Sequence, residues 1–119
     1  MPGPTPDPQT WSIVSFVDPD EAIAVADSHN HDKPLLLVPP PGAAGYLGLD
    51  WFHVLGTRLG DKASLLVDCG SNPALTHEAL AQGFTHVGFS GDAAYWAELE
   101  TFTAQKQAVL YSTGPIAET

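Results

Sequence analysis

Short apolar runs and amphipathic stretches alternate almost without a break from Ile13 to Tyr111, and this rhythm limits the fold more than any other feature. Residues 13–17, 35–38, 64–67, 86–89 and 108–111 each read as a short buried strand. Between them, apolar residues recur at helical spacing: Ala22, Ile23, Val25 and Ala26, then Leu49, Phe52, Leu55 and Leu59. Leu75, Ala79 and Leu80 continue the pattern, followed by Trp96, Leu99 and Phe102. A β-α-β-α succession predicts a mostly parallel sheet wrapped by helices. Leu35-Leu36-Leu37-Val38 shows no polar alternation, as a central strand buried on both faces requires. The expected fold is a single three-layer α/β sandwich around a four- or five-stranded sheet, flavodoxin-like in architecture.

A chain of 119 residues suits one such domain, expected over residues 11–111. Pro2, Pro4, Pro6 and Pro8 favour an extended, flexible tail over residues 1–10, and residues 112–119 read as a second tail. Charge then removes whole classes of partner. Fourteen acidic residues stand against four basic ones, a net charge of −10. Lys33, Arg58, Lys62 and Lys106 cannot assemble a basic patch, so neither nucleic acid nor an anionic membrane is an expected partner. The single Cys69 excludes an intrachain disulfide. No run approaches the ~20 apolar residues of a membrane span, and no basic-then-apolar leader opens the chain, so a cytoplasmic protein is expected.

In a parallel sheet the loops leaving the strands converge on one rim, and ligands bind there. Eight residues of those loops are candidate ligand contacts: Asp18, Asp20, Gly42, Gly45, Asp68, Cys69, Ser90 and Asp92. Gly42, Gly45 and Gly48 precede a helix, as in phosphate-binding loops, but their spacing matches neither the Walker A loop nor the dinucleotide fingerprint. A strand-to-helix turn accounts for them. Cys69 ends a strand just before a helix, where a thiol can be activated, yet the adjacent Asp68 disfavours a thiolate. Asp18, Asp20, Asp68 and Asp92 suit a hard cation such as magnesium, and His29 with His31 can chelate jointly in a loop, with Asp27 and Asp32 nearby. Helix capping already explains Asp18 and Asp92, so no metal and no cofactor is expected.

The segment Ile13-Val14-Ser15-Phe16-Val17-Asp18-Pro19-Asp20-Glu21-Ala22 resembles the first strand and acidic pair of response-regulator receiver domains. The strand at 35–38, the Pro41-Gly42-Ala43-Ala44-Gly45 loop and the helix at 49–59 resemble that family's phosphorylation strand, the loop after it and the next helix. Glu78-Ala79-Leu80-Ala81-Gln82-Gly83-Phe84 resembles the end of the helix before its last strand. The resemblance implies a receiver-like fold, in shortened form. Val38 or Pro39 stands where the family has its phosphoacceptor aspartate, and Ser90-Gly91 where it has its lysine. The succession of strand, helix, strand and helix is also similar to that of the anti-sigma antagonist fold, without that family's serine. Short bacterial α/β proteins are similar too, and imply no activity.

No group of residues supplies nucleophile, base and orienter together. The reading favoured is a small acidic, non-enzymatic interaction or regulatory module, pseudo-receiver-like. The alternative is a small enzyme or ligand-binding protein using the acidic and glycine-rich loops. Trp51 and Val54 lie beyond the stripe that the helix at 49–59 needs for its core face, and Tyr46 and Tyr95 flank the helices. A homodimer through the helix at 49–59 or the helix carrying Trp96 is therefore expected, or else another protein as partner. Without acceptor or lysine, incubation with acetyl phosphate and magnesium is expected to add no phosphate to the intact mass; a stoichiometric adduct would contradict this reading.

Overall fold

The computed structural model describes residues 3–29 and 32–113. The chain runs β1 (Ser12–Ser15), α1 (Pro19–Ser28), β2 (Leu35–Val38), α2 (Ala43–Leu47), α3 (Leu49–Leu59), β3 (Ser64–Leu65) and β4 (Val67–Asp68). It continues through α4 (Pro73–Ala81), β5 (His86–Phe89), a 3-10 turn (Ala93–Tyr95), α5 (Trp96–Gln105) and β6 (Val109–Ser112). His31 and residues 114–119, part of the expected second tail, lie outside the described residues.

Local chemistry explains where the helices begin and end. Asp18 caps α1, its Oδ1 accepting from the Asp20 amide at 2.9 Å, and Pro19 occupies the first turn. Glu21 reaches back one residue further than a capping box, accepting from the Val17 amide at 3.1 Å. Asn72 caps α4 through the Leu75 amide, with Pro73 again in the first turn. In α3, Leu49, Phe52, Leu55 and Leu59 are the buried residues, and Gly60, at φ 61°, ends the helix in a conformation that L side chains avoid.

The sheet departs from expectation. Two three-stranded parallel sheets form, β1-β2-β3 and β4-β5-β6, rather than one sheet of four or five strands. They are joined through Leu66. The Leu66 amide still donates to the Leu37 carbonyl, whereas the Cys69 amide donates to the Gly88 carbonyl. One extended stretch thus pairs with β2 along its first half and with β5 along its second. Strand order follows chain order in both sheets, without the reversal that creates the ligand crevice of flavodoxin-like folds. Crossovers that always step the same way put their helices on the same face.

Side-chain alternation confirms this one-sidedness. Phe16, Leu35 and Leu37 pack with Ala22 and Ala26 of α1 and Leu55 and Leu59 of α3. Val67, Cys69, Val87, Phe89 and Leu110 pack with Phe52 of α3, Ala79 and Leu80 of α4, and Trp96 and Leu99 of α5. The intervening strand positions form a third cluster of Leu36, Leu66 and Tyr111, edged by Trp11 and Val38 and containing no helix residue. The architecture is therefore helices, then sheets, then an opposite face without helices; the expected three-layer sandwich is corrected.

That opposite face is crossed by the proline-rich segment. The Pro4 carbonyl accepts from the Ser112 amide at 2.7 Å, on the outer edge of β6, and the Pro8 carbonyl accepts from Lys33 Nζ at 2.8 Å. Before it reaches that face the segment rounds the β6 edge: a Cβ on Gly3 would fall 2.0 Å from the indole of Trp96 on the helix side, so the backbone lies directly against that ring. Prolines bring no amide that would need a partner and offer no donor by which the edge could be extended. Leu66 is 1% exposed and lies at the junction of the two sheets, so Leu66→Ala is expected to cost ~2–5 kcal/mol. Denaturant unfolding checks this; a loss below ~1 kcal/mol, within the range of surface substitutions, would contradict the assigned junction.

Candidate functional site

The face without helices is a trough, walled by Trp11 at one end and by the amino-terminal segment at the other. Trp11 precedes β1 and His86 opens β5, yet their rings meet edge to face with centroids 5.2 Å apart. Three strand spacings on a flat sheet would hold the two backbones about 14 Å apart. The two side chains lean toward each other across that span, and Trp11 packs against the floor of Leu36, Leu66 and Tyr111. At the amino ends of the strands the trough is plugged by rings. His86 stacks on Tyr111 at 6.1 Å, with Nδ1 3.4 Å from the phenol oxygen, and the Trp11 indole also hydrogen-bonds Tyr111. Burial holds the His86 pKa below its ordinary value, because the charged ring would lose its hydration. Burial also raises the Tyr111 pKa, against the pull of the Trp11 hydrogen bond.

At the carboxyl ends the trough stays open as a cleft of about 390 Å³. Ile13 and Ser15 of β1, Val38 of β2, Leu66 and Asp68 line it from the sheets, with Pro39 and Pro41 beyond β2. Thr5 and Pro6 wall it from the amino-terminal segment, and Ser112 and Thr113 from the end of β6. Among the described residues, Asp68 is the single charged residue of this lining, and it is only 4% exposed. Its Oδ1 accepts from the Gly70 amide at 2.9 Å and from Thr113 Oγ1 at 3.3 Å. Its Oδ2 has no hydrogen-bond partner among the described residues.

The approach of Thr113 depends on Gly88. Gly88 pairs with Asp68 on one side and Tyr111 on the other, and a Cβ there would lie 2.6 Å from the Thr113 methyl carbon. The missing side chain thus makes room for the hydroxyl that holds Asp68. Neither Gly88 nor Thr113 was among the expected contacts. A glycine inside the apolar run His86-Val87-Gly88-Phe89 was the available signal, because strand glycines mark close approaches.

Of the eight expected contacts, Asp68 alone lines the cleft. Asp18 and Asp20 are at the start of α1, away from the cleft lining. Asp92 caps the 3-10 turn through the Ala94 amide, and the half-buried Ser90 donates its amide to the Gly70 carbonyl. The glycine-rich turn contains the short helix α2, which begins after Gly42 and includes Gly45. Gly42 instead meets Gly70, whose added Cβ would sit 3.3 Å from the Gly42 Cα, so these two turns abut at the rim. Cys69 faces the helices, 2% exposed. Burial foremost, and the charge of Asp68 in addition, push its thiol up to about 12, the nearby Thr76 hydroxyl opposing them only in part. A protonated, enclosed thiol is neither nucleophile nor metal ligand. Among the described residues no group of three or more metal-ligating side chains gathers, and no helix is long and apolar enough to cross a membrane.

No protein-family model, no curated protein and no solved structure matches the chain. The geometry of the site is therefore the guide to what it does. His86 supplies its pH test. With its folded pKa below the unfolded value of 6.5, its stabilising contribution is complete above that pH. It is lost as the pH falls from there through the folded pKa, because the unfolded chain takes up the proton first. His86→Gln is expected to flatten the decline in folding stability between about pH 7 and pH 5 relative to the natural chain. Parallel declines in denaturant titrations would contradict the enclosure of this ring.

Proposed function

We propose that this chain is a non-enzymatic binding module whose cleft takes a small amphipathic ligand, its ammonium or similar donor group meeting Asp68. One observation carries the reading. A buried carboxylate with one oxygen engaged and the other without a partner among the described residues lies in a cleft otherwise lined by hydroxyls and apolar surface. A cation forms a stronger hydrogen bond with a carboxylate than a neutral donor does. Ser15, Ser112 and Thr113 offer hydroxyls nearby, while Pro6, Ile13, Val38 and Leu66 offer a wall for a short hydrocarbon. The cleft volume of about 390 Å³ falls in the range of small-molecule sites.

Binding without turnover suits the inventory. Among the described residues no histidine, lysine or cysteine lines the cleft, so Asp68 is the base that its hydroxyls have beside them there. Titration with n-butylamine, n-butanol and butyrate, followed by amide NMR shifts, tests the proposal. The amine is expected to move the resonances of Asp68, Gly70 and Thr113 most, butanol less and butyrate not at all. Asp68→Asn is expected to erase the preference for the amine. Equal responses to all three compounds, or an amine preference kept by the variant, would overturn the reading.

A further inference from the structure

Away from the cleft, on the helix side of the sheets, α3 carries a feature that the cleft does not explain. Beside α1, a groove of about 270 Å³ is lined by Pro19, Asp50, Trp51, Val54, Leu55 and Arg58. Its floor is apolar: Leu55 is buried, and Trp51 is half-buried, stacked parallel to Phe16 and set edge to face against Phe52. Val54 stands out of it, 62% exposed. Tyr46 and Leu47, just ahead in the chain, are exposed as well.

The charges beside this groove are unpartnered. Lys62 pairs with Asp27, Lys33 donates to the Pro8 carbonyl, and Lys106 lies over the Phe102 ring. Arg58 is the one basic side chain without a partner among the described residues, and Asp50 has no cation of its own there. Asp50, Val54 and Arg58 succeed each other at steps of four along α3, which puts them on one stripe of the helix. The stripe is symmetric in position and opposite in charge about its apolar centre. Such a stripe is complementary to itself when a second copy lies antiparallel: Asp50 then faces the other Arg58, and Val54 the other Val54. The same turn that brings the charges together seats each Val54 against the Trp51–Leu55 floor of its neighbour.

We propose that this face is where two copies of the chain meet, α3 against α3 about a two-fold axis at Val54. The pairing goes beyond the ligand reading and does not depend on it. Unpaired, the exposed Val54 and the half-buried Trp51 leave an apolar strip in water, and Arg58 adds a positive charge to a chain of net charge −10. Two copies remove the strip from water and give each Arg58 a carboxylate, which offsets locally the repulsion between acidic molecules.

Sedimentation velocity on the full chain tests this, with Asp50→Arg and Arg58→Asp prepared separately. Neither residue belongs to the buried core, so the fold is expected to survive, which circular dichroism checks. The natural chain is expected to dimerise at micromolar concentration. Each variant alone sets like charges opposite each other and is expected to dimerise at least about tenfold more weakly. An equimolar mixture restores both charge pairs, so a heterodimer is expected to return the lost affinity. Val54→Lys, which charges the centre, is expected to abolish dimers in every combination. A monomeric natural chain, dimers indifferent to the substitutions, or a mixture no tighter than its components would each overturn the proposal.

Discussion

A parallel sheet is stable only when both of its faces are covered, and in this chain the helices cover one. Every strand-to-strand crossover steps in the same direction, so α1, α3, α4 and α5 gather against a single face. What remains is an apolar strip of Leu36, Leu66 and Tyr111 that the chain must close with its own irregular segments. Trp11 closes one end by reaching His86 and Tyr111. The proline-rich segment closes part of the other, held by the Pro4–Ser112 hydrogen bond and by the contact of Gly3 with Trp96. Because proline has no amide hydrogen, this segment covers apolar surface without adding donors that would need partners.

The cover is uneven, and the cleft is what the unevenness leaves. Three aromatic rings fill the amino end of the trough, whereas Thr5 and Pro6 alone come from the segment to wall the carboxyl end. Asp68 reaches that gap because successive strand residues point to opposite faces. Its neighbour Cys69 points the other way, into the helix-facing core, where its thiol stays protonated. Two adjacent residues that read in sequence as one reactive pair thus belong to different environments, and only the carboxylate can meet a ligand. Gly88 completes the arrangement from the next strand by leaving space for Thr113 to bind Asp68.

The helix and strand positions were legible because their causes are local. Asp18 and Asn72 cap through amides two or three residues away, and the stripe of Leu49, Phe52, Leu55 and Leu59 lies within one helix. The split of the third strand at Leu66 was not legible, since it depends on which neighbours offer carbonyls: Leu37 to the Leu66 amide and Gly88 to the Cys69 amide. The same holds for the rim. Asp18 and Asp92 carry their helix-start chemistry in their own sequence context and use it for capping. The convergence of Asp68, Ser15 and Thr113 joins strands whose order no local pattern states.

The sequence by itself determined a βα chain, the capped starts of α1 and α4, the stop of α3 at Gly60 and an acidic composition with very few cations. Each follows from periodicity, capping, backbone restriction or charge count, properties a chain carries before it folds. Only the tertiary structure decided that the sheets would be two, that all helices would lie on one side, and that a buried aspartate would stand at the open end of the remaining trough. Those outcomes turn on the direction of each crossover and on contacts between residues as distant in the chain as Asp68 and Thr113. No local interaction energy encodes them; they are chosen by which whole arrangement hides the apolar faces and leaves fewest polar groups unpaired.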